Sequence, residues 1–248
     1  MRDNNFIIEN NAKHLWHPMG APRDSINNPP KVITNANGSQ ISDIDGHTTV
    51  DAVGGLWCVN LGYSNEAVKK AISEQLNHLP YYSGFAGTTN PAAIEASFMV
   101  KEMFKADGME KVFFTSGGSD SVETCLRLSR QYHRLRGEPT RTKFISLKKG
   151  YHGTHFGGAS VNGNNRFRIA YEPLLPGCFH LPSPYTYRNP FNETDSQKLA
   201  LNIAQAFEDE IAFQDKNTIA AFIMEPIQGA GGVIVPDPSF MGFMQEIC

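Results

Sequence analysis

The chain has 248 residues, of which 40% are hydrophobic and 19% charged, and its formal net charge is −3. This is the composition of a soluble globular protein, long enough for one large core or two modest ones. The near-neutral balance, with no Lys/Arg run to track phosphates, argues against a nucleic-acid binder, and no apolar run approaches the roughly 18 residues expected of a membrane span.

The N-terminal stretch MRDNNFIIENNAKHLWHPMG lacks an apolar run of signal-peptide length followed by a small-residue cleavage site. Cys58, Cys125, Cys178 and Cys248 are widely spaced and form no CxxC pair. Neither disulfides nor a structural zinc site is expected, and a reducing cytoplasm fits. The sequons at Asn37 and Asn192 read as unmodified turns. Residues 1–30 are polar and rich in Asn and Pro, and are expected to be an arm or loop rather than core.

QISDIDGHTTVDAV (40–53) contains two β-prone runs joined at Asp45-Gly46, a hairpin signal. NEAVKKAISEQLNHL (65–79) spaces Ala67, Val68, Ala71, Ile72 and Leu76 at a helical period. NPAAIEASFMVKEMF (90–104) reads as a second helix, with Asn90 as N-cap and Pro91 in its first position. KVFFT (111–115) is expected to be a short buried strand, followed by a helix from Ser119 to about Leu135 and another strand in KFISLKKG (143–150). That order is a βαβ unit, so the strands should be parallel. The helix-patterned SQKLALNIAQAFEDEIAF (196–213) then leads into the strand-like TIAAFIMEP (218–226). Alternating strands and helices argue for an open α/β sheet covered on both faces.

In such sheets ligands sit beyond the carboxyl ends of the strands, and three of these ends carry unusual residues. Gly117, Gly118 and Ser119 stand at a helix N-terminus, where free N–H groups and the helix dipole favour an anion. A glycine-rich turn serving only chain reversal explains them equally well. Tyr151 and His152, flanked by glycines, could present an aromatic ring to a planar ligand, or could be a satisfied core pair. Glu225, with Gln228 three residues on, could accept a ligand hydroxyl, or be a surface acid before a proline turn. There is no GxxxxGK[ST] and no GxGxxG after a strand, which weakens nucleotide readings. Together the three ends suit a phosphorylated, planar aromatic molecule such as pyridoxal 5′-phosphate.

At these residues the sequence resembles class III pyridoxal-phosphate aminotransferases, most closely the ω-amino acid:pyruvate (amine:pyruvate) branch. The matching stretches are HLWHPM (14–19), DIDGHTTVDAVGGLWCVNLGY (43–63), VFFTSGGSDSVETCLRLSRQYHRLRG (112–137), YHGTHFGGASVNG (151–163) and FIMEPIQGAGGVIVP (222–236). The resemblance implies fold type I, a mainly parallel α/β sheet with helices on both faces. It also implies that residues 1–55 form an arm and hairpin of the small domain, and residues 56–248 an incomplete cofactor-binding large domain. By the same likeness Gly118 and Ser119 donate to the cofactor phosphate, Tyr151 stacks on the pyridine ring with His152 beside it, and Glu225 lies near the cofactor 3-hydroxyl with Gln228 close by. Trp57 would wall the substrate pocket. Tyr82 to Phe85 would lie near the dimer interface, with Phe85 lining the pocket.

Two positions depart from the pattern. Gly117 stands where the family's Ser-Gly-Ser turn has its first serine, removing one hydroxyl donor to the phosphate, and Asp120 replaces the usual glutamate. The family's pyridinium-pairing aspartate, Schiff-base lysine and carboxylate-gripping arginine are expected beyond Cys248, so no catalytic residue is assigned. Lys148 and Lys149 read as a solvated pair rather than substitutes for that lysine. The expected function is transfer of an amino group from an amine or ω-amino acid to a keto acid such as pyruvate, by a homodimer with ping-pong kinetics. The alternatives are a catalytically dead protein that binds the cofactor or pairs with a full-length paralogue, and an aminomutase or epimerase of the same fold type. No metal, nucleic-acid or membrane partner is expected.

Overall fold

A computed structural model describes residues 3–248. The chain forms two compact units, divided between Met109 and Glu110.

In the first unit, α1 (Asn4–His14) is capped by Asp3, whose carboxylate accepts the Phe6 N–H at 2.8 Å, and is followed by α2 (Pro22–Asn27). The expected loop at 1–30 is therefore helical in these two stretches. A polar sequence can hold a helix by capping and by pairs such as Lys13–Glu9, and α1 buries none of its residues. Strands β1 (Ile33–Asn37), β2 (Gln40–Asp43) and β3 (Thr48–Val50) form an antiparallel meander. The hairpin at Asp45-Gly46 joins β2 to β3. Asp43 fixes it by accepting the N–H groups of Asp45 at 3.1 Å and His47 at 2.9 Å.

The short α3 (Gly54–Trp57) has φ between 58° and 67° at all four residues, a left-handed turn that L-residues such as Leu56 and Trp57 resist. Asp51 stabilises it, accepting the Gly55 N–H and the Tyr63 hydroxyl at 2.6 Å each and the Val53 N–H at 3.1 Å. The Tyr63 hydroxyl, ahead of these backbone donors, holds the Asp51 carboxyl below its ordinary pKa. Helices α4 (Glu66–His78) and α5 (Pro91–Met103) match the helical patterns, with Asn65 and Asn90 as N-caps.

The second unit holds the parallel sheet, with strand order β5-β4-β6. Helix α6 (Gly118–Leu135) precedes β4 (Lys143–Leu147). Next come α7 (Phe156–Val161), β5 (Cys178–Leu181), α8 (Ser196–Gln214), β6 (Ile219–Ile223) and α9 (Phe240–Ile247). Both β5 and β6 pair with β4 in parallel. Successive side chains of β4 face opposite ways. Ile145 and Leu147 join Leu199, Ile203, Phe207, Phe240 and Met244 in one core cluster, while Phe144 packs with Leu126 and Val161 in the other. The sheet is thus covered on both faces, as its apolar strands require.

KVFFT is not a strand. Residues 111–115 carry no ladder hydrogen bonds, and Phe113 and Phe114 are exposed. A strand exists only by pairing, and none of the described strands lies against this segment. Among the described residues no helix is long and apolar enough to cross a membrane.

Phe207 is almost fully buried, with its ring 4.7 Å from that of Phe222. Phe207→Ala is expected to lower stability by about 3–5 kcal/mol, read as a shifted urea midpoint. A loss below ~1 kcal/mol would mean that α8 does not pack on the sheet in this way.

Candidate functional site

Beyond Leu147 the chain leaves the sheet, and its backbone groups need new partners. The Lys148 N–H still reaches the Leu181 carbonyl at 2.8 Å, and the Lys149 N–H reaches the Gly163 carbonyl at 2.8 Å. The Tyr151 N–H then donates to Glu225 Oε1 at 2.7 Å. The other oxygen of that carboxylate accepts the Gly229 N–H at 2.9 Å, so Glu225 ties the turn after β4 to the loop after β6. The His152 N–H donates to Asn162 Oδ1, and Asn162 Nδ2 donates to the Gly153 carbonyl at 2.8 Å. The Thr154 N–H donates to Ser119 Oγ at 3.1 Å. These contacts reach β5, the Asn162-Gly163 segment, the loop after β6 and the start of α6.

Ser119 lies in the first turn of α6, whose leading N–H groups have no intrahelical acceptors and whose dipole favours negative charge. A Cβ built on Gly117 or Gly118 would meet nothing, so this helix end opens onto free space. Asp120 turns back to accept the Ser116 N–H at 3.0 Å and the Ser116 hydroxyl at 3.1 Å. The Ser116 N–H, then its hydroxyl, hold the Asp120 carboxyl below its ordinary pKa. Gly153, at φ +95°, passes so close that a Cβ there would lie 2.7 Å from Ser119 Cα and Oγ. Glycine is required at that crossing on both counts.

The structure thus brings Gly118, Ser119, Tyr151, His152, Glu225 and Gln228 to the carboxyl edge of one sheet. The Tyr151 ring packs against Phe167 with centroids 4.9 Å apart. Gln228 is buried and held at both ends of its amide: Oε1 accepts from the Ser183 hydroxyl, and Nε2 donates to the Lys148 carbonyl at 3.0 Å. It braces the turn from beneath. His152 is buried with its Nε2 unpartnered. Lys148 is exposed, and the Lys149 ammonium sits 4.8 Å from the centre of the Tyr185 ring. Trp57 and Phe85 belong to the first unit, where they are 60% and 96% exposed, with Trp57 closing the left-handed turn. Sequence reading missed Asn162, which is fully buried. Nothing in SVNG signals a side chain that reaches back ten residues to hold a turn.

A family model described as Aminotransferase class-III matches residues 22–248. The chain belongs to the class III aminotransferases. It is 36% identical to the putrescine–pyruvate aminotransferase of Pseudomonas aeruginosa over 88% of this chain and 47% of that protein. It is 32% identical to an omega-aminotransferase of Caulobacter vibrioides over 96% of this chain and 54% of that protein. Among solved structures, an amine transaminase from an uncultivated Pseudomonas species, in its pyridoxal-phosphate-bound form, superposes with a TM-score of 0.92 at 44% identity. That match covers 95% of this chain and 53% of the other. The chain spans about half the length of these relatives. Pyridoxal 5′-phosphate is the cofactor of the family, and the fold is that of its fold type I members.

Two of the histidines at this edge, His152 and His180, are held well below the ordinary imidazole range. Burial, reinforced by His180, lowers the pKa of His152 to about 4. Burial, reinforced by the Arg168 guanidinium, lowers that of His180 to about 4. Arg168 Nη1 lies 2.9 and 3.2 Å from the His180 ring nitrogens and also donates to the Asn162 carbonyl at 3.1 Å. Unfolded histidine titrates near 6.5, so between about pH 6.5 and 4 the unfolded chain binds more protons than the folded one. Stability is therefore full above that window and falls as pH drops through it. Denaturant titrations across the window should show this slope, and His152→Gln should flatten it. An unchanged slope in the variant would place the titrating group elsewhere.

Proposed function

We propose that this chain is the N-terminal part of a pyridoxal-phosphate transaminase that moves an amino group from an amine or ω-amino acid to a keto acid such as pyruvate. The observation that carries the reading is the open, glycine-lined N-terminus of α6, held by Ser119 against the Tyr151–Thr154 turn. An anion site and an aromatic turn thus adjoin at the carboxyl edge of a parallel sheet. The named activities of the relatives support the choice of amine donor and pyruvate acceptor.

The residues present fit the cofactor. Free space beside Gly117 and Gly118, unpaired N–H groups in the first turn of α6 and the Ser119 hydroxyl suit its phosphate. Ser119 Oγ accepts the Thr154 N–H at 3.1 Å, and its own proton has no nearer acceptor than Thr154 Oγ1 at 3.5 Å, so it is free to donate to a ligand. The Tyr151 ring would face the pyridine ring, with His152 behind the turn, neutral and buried. Glu225, held by the Tyr151 and Gly229 N–H groups, would keep lone pairs for the ring hydroxyl or a water. Gln228 would act indirectly, by fixing the turn. When bound, the cofactor supplies the electron sink that the side chains lack. The chain's own residues bind and orient it. Trp57 and Phe85 would line the amine pocket of a homodimer, and the four free cysteines suit a reducing cytoplasm.

The reading frame that encodes this chain, expressed to its stop codon and loaded with cofactor, should form alanine from pyruvate. Putrescine and γ-aminobutyrate are suitable donors, and each should be consumed in equal amount. An amino acid whose amino group migrates, or a chiral amino acid that is racemised, without loss of keto acid would make the protein an aminomutase or epimerase. No turnover in the loaded protein would make it a cofactor-binding or dimer-partner protein.

A further inference from the structure

Gly117 leaves the phosphate turn one hydroxyl short of the family's Ser-Gly-Ser pattern. A second hydroxyl nevertheless stands at this helix end, supplied by another loop. Thr154 Oγ1 lies 3.5 Å from Ser119 Oγ, on the exposed side of the turn that crosses the end of α6. This separation exceeds a normal O–H···O bond. Neither hydroxyl has another side-chain or backbone acceptor among the described residues. Both protons are therefore available to a third group.

We propose that Thr154 is a phosphate-binding residue of this protein, the second hydroxyl donor in place of the one lost at Gly117. The inference rests on the cofactor reading above and extends it by naming a residue outside the helix turn. Three observations place the hydroxyl. Gly153 allows the backbone to cross against Ser119, where any side chain would collide. The Thr154 N–H is pinned to Ser119 Oγ. Asn162 holds the preceding residues from the buried side through the His152 N–H and the Gly153 carbonyl. Threonine's branched Cβ further limits how its hydroxyl can turn. Two donors about 3.5 Å apart can both reach one phosphate group at the ~2.5–2.7 Å of a charge-assisted O–H···O⁻ bond. The cup would then be closed from two loops, so phosphate binding and the position of the Tyr151 turn would be coupled through Ser119.

The test uses pyridoxamine 5′-phosphate and pyridoxamine, which cannot form imines with surface lysines, titrated into the purified chain and followed by ligand fluorescence. The wild-type chain should prefer the phosphorylated ligand. Thr154→Val should weaken that ligand about tenfold, as expected for one hydrogen bond to a charged group, and leave pyridoxamine affinity and the ligand-free melting temperature unchanged. Thr154→Ser, which restores the hydroxyl, should recover most of the loss. Wild-type preference retained in Thr154→Val would overturn the role of Thr154 while the phosphate cup stands. Equal loss of both ligands in that variant would reduce Thr154 to a structural residue and overturn the proposal. No preference in the wild type would overturn the cup itself, and Thr154 with it.

Discussion

The second unit depends on how the turn after β4 satisfies its backbone. Three N–H groups, of Tyr151, His152 and Thr154, find acceptors on three side chains from elsewhere: Glu225 after β6, Asn162 after α7 and Ser119 in α6. A buried backbone group left unpaired costs roughly 1–3 kcal/mol, so the anchor on the buried His152 N–H is worth more as insurance against that loss than as a bond gained. The three segments that suggest a ligand site in the sequence, two strand ends and the start of α6, are joined by these contacts. They form one hydrogen-bonded object.

This arrangement assigns different work to residues that look alike in sequence. Glu225 and Gln228 are three positions apart and both polar. The carboxylate is half-buried and keeps lone pairs to spare, whereas the amide is 1% exposed and spends its oxygen on Ser183 and a donor on Lys148. One can face a ligand, and the other holds the scaffold. His152 contributes by being uncharged. A protonated ring with an unpartnered Nε2 would add a buried charge beside His180, which itself lies against the Arg168 guanidinium. Asn162 is the least conspicuous member and serves both sides of the turn with a single amide.

Much of the fold is legible in local pattern. The cap at Asn90, the helical period of 65–79, the Asp45-Gly46 hairpin, and the apolar runs of β4 and β6 follow from short-range rules, and the sheet is parallel as the helix-crossover order requires. What the pattern cannot supply is pairing. KVFFT has the composition of a strand, but lacks a partner among the described strands and stays unpaired with Phe113 and Phe114 exposed. Conversely, CFHL (178–181) is too short and mixed to stand out, yet β4 offers it an edge and it pairs in register. The N-terminal helices escape notice because they bury almost nothing. In the site, the glycines are legible at a helix start, and Tyr151 and Glu225 at the ends of strands. Asn162, Thr154 and the bracing role of Gln228 depend on contacts 9 to 80 residues apart in sequence, which no window reveals.

The central claim is that side chains from three elements fix this turn, and amide hydrogen exchange tests it directly. If Glu225, Asn162 and Ser119 hold it as described, the Tyr151, His152 and Thr154 amides should exchange as slowly as those of β4, although they lie in a loop. Exchange of these three amides at the rate of an open loop, with β4 still protected, would contradict the account.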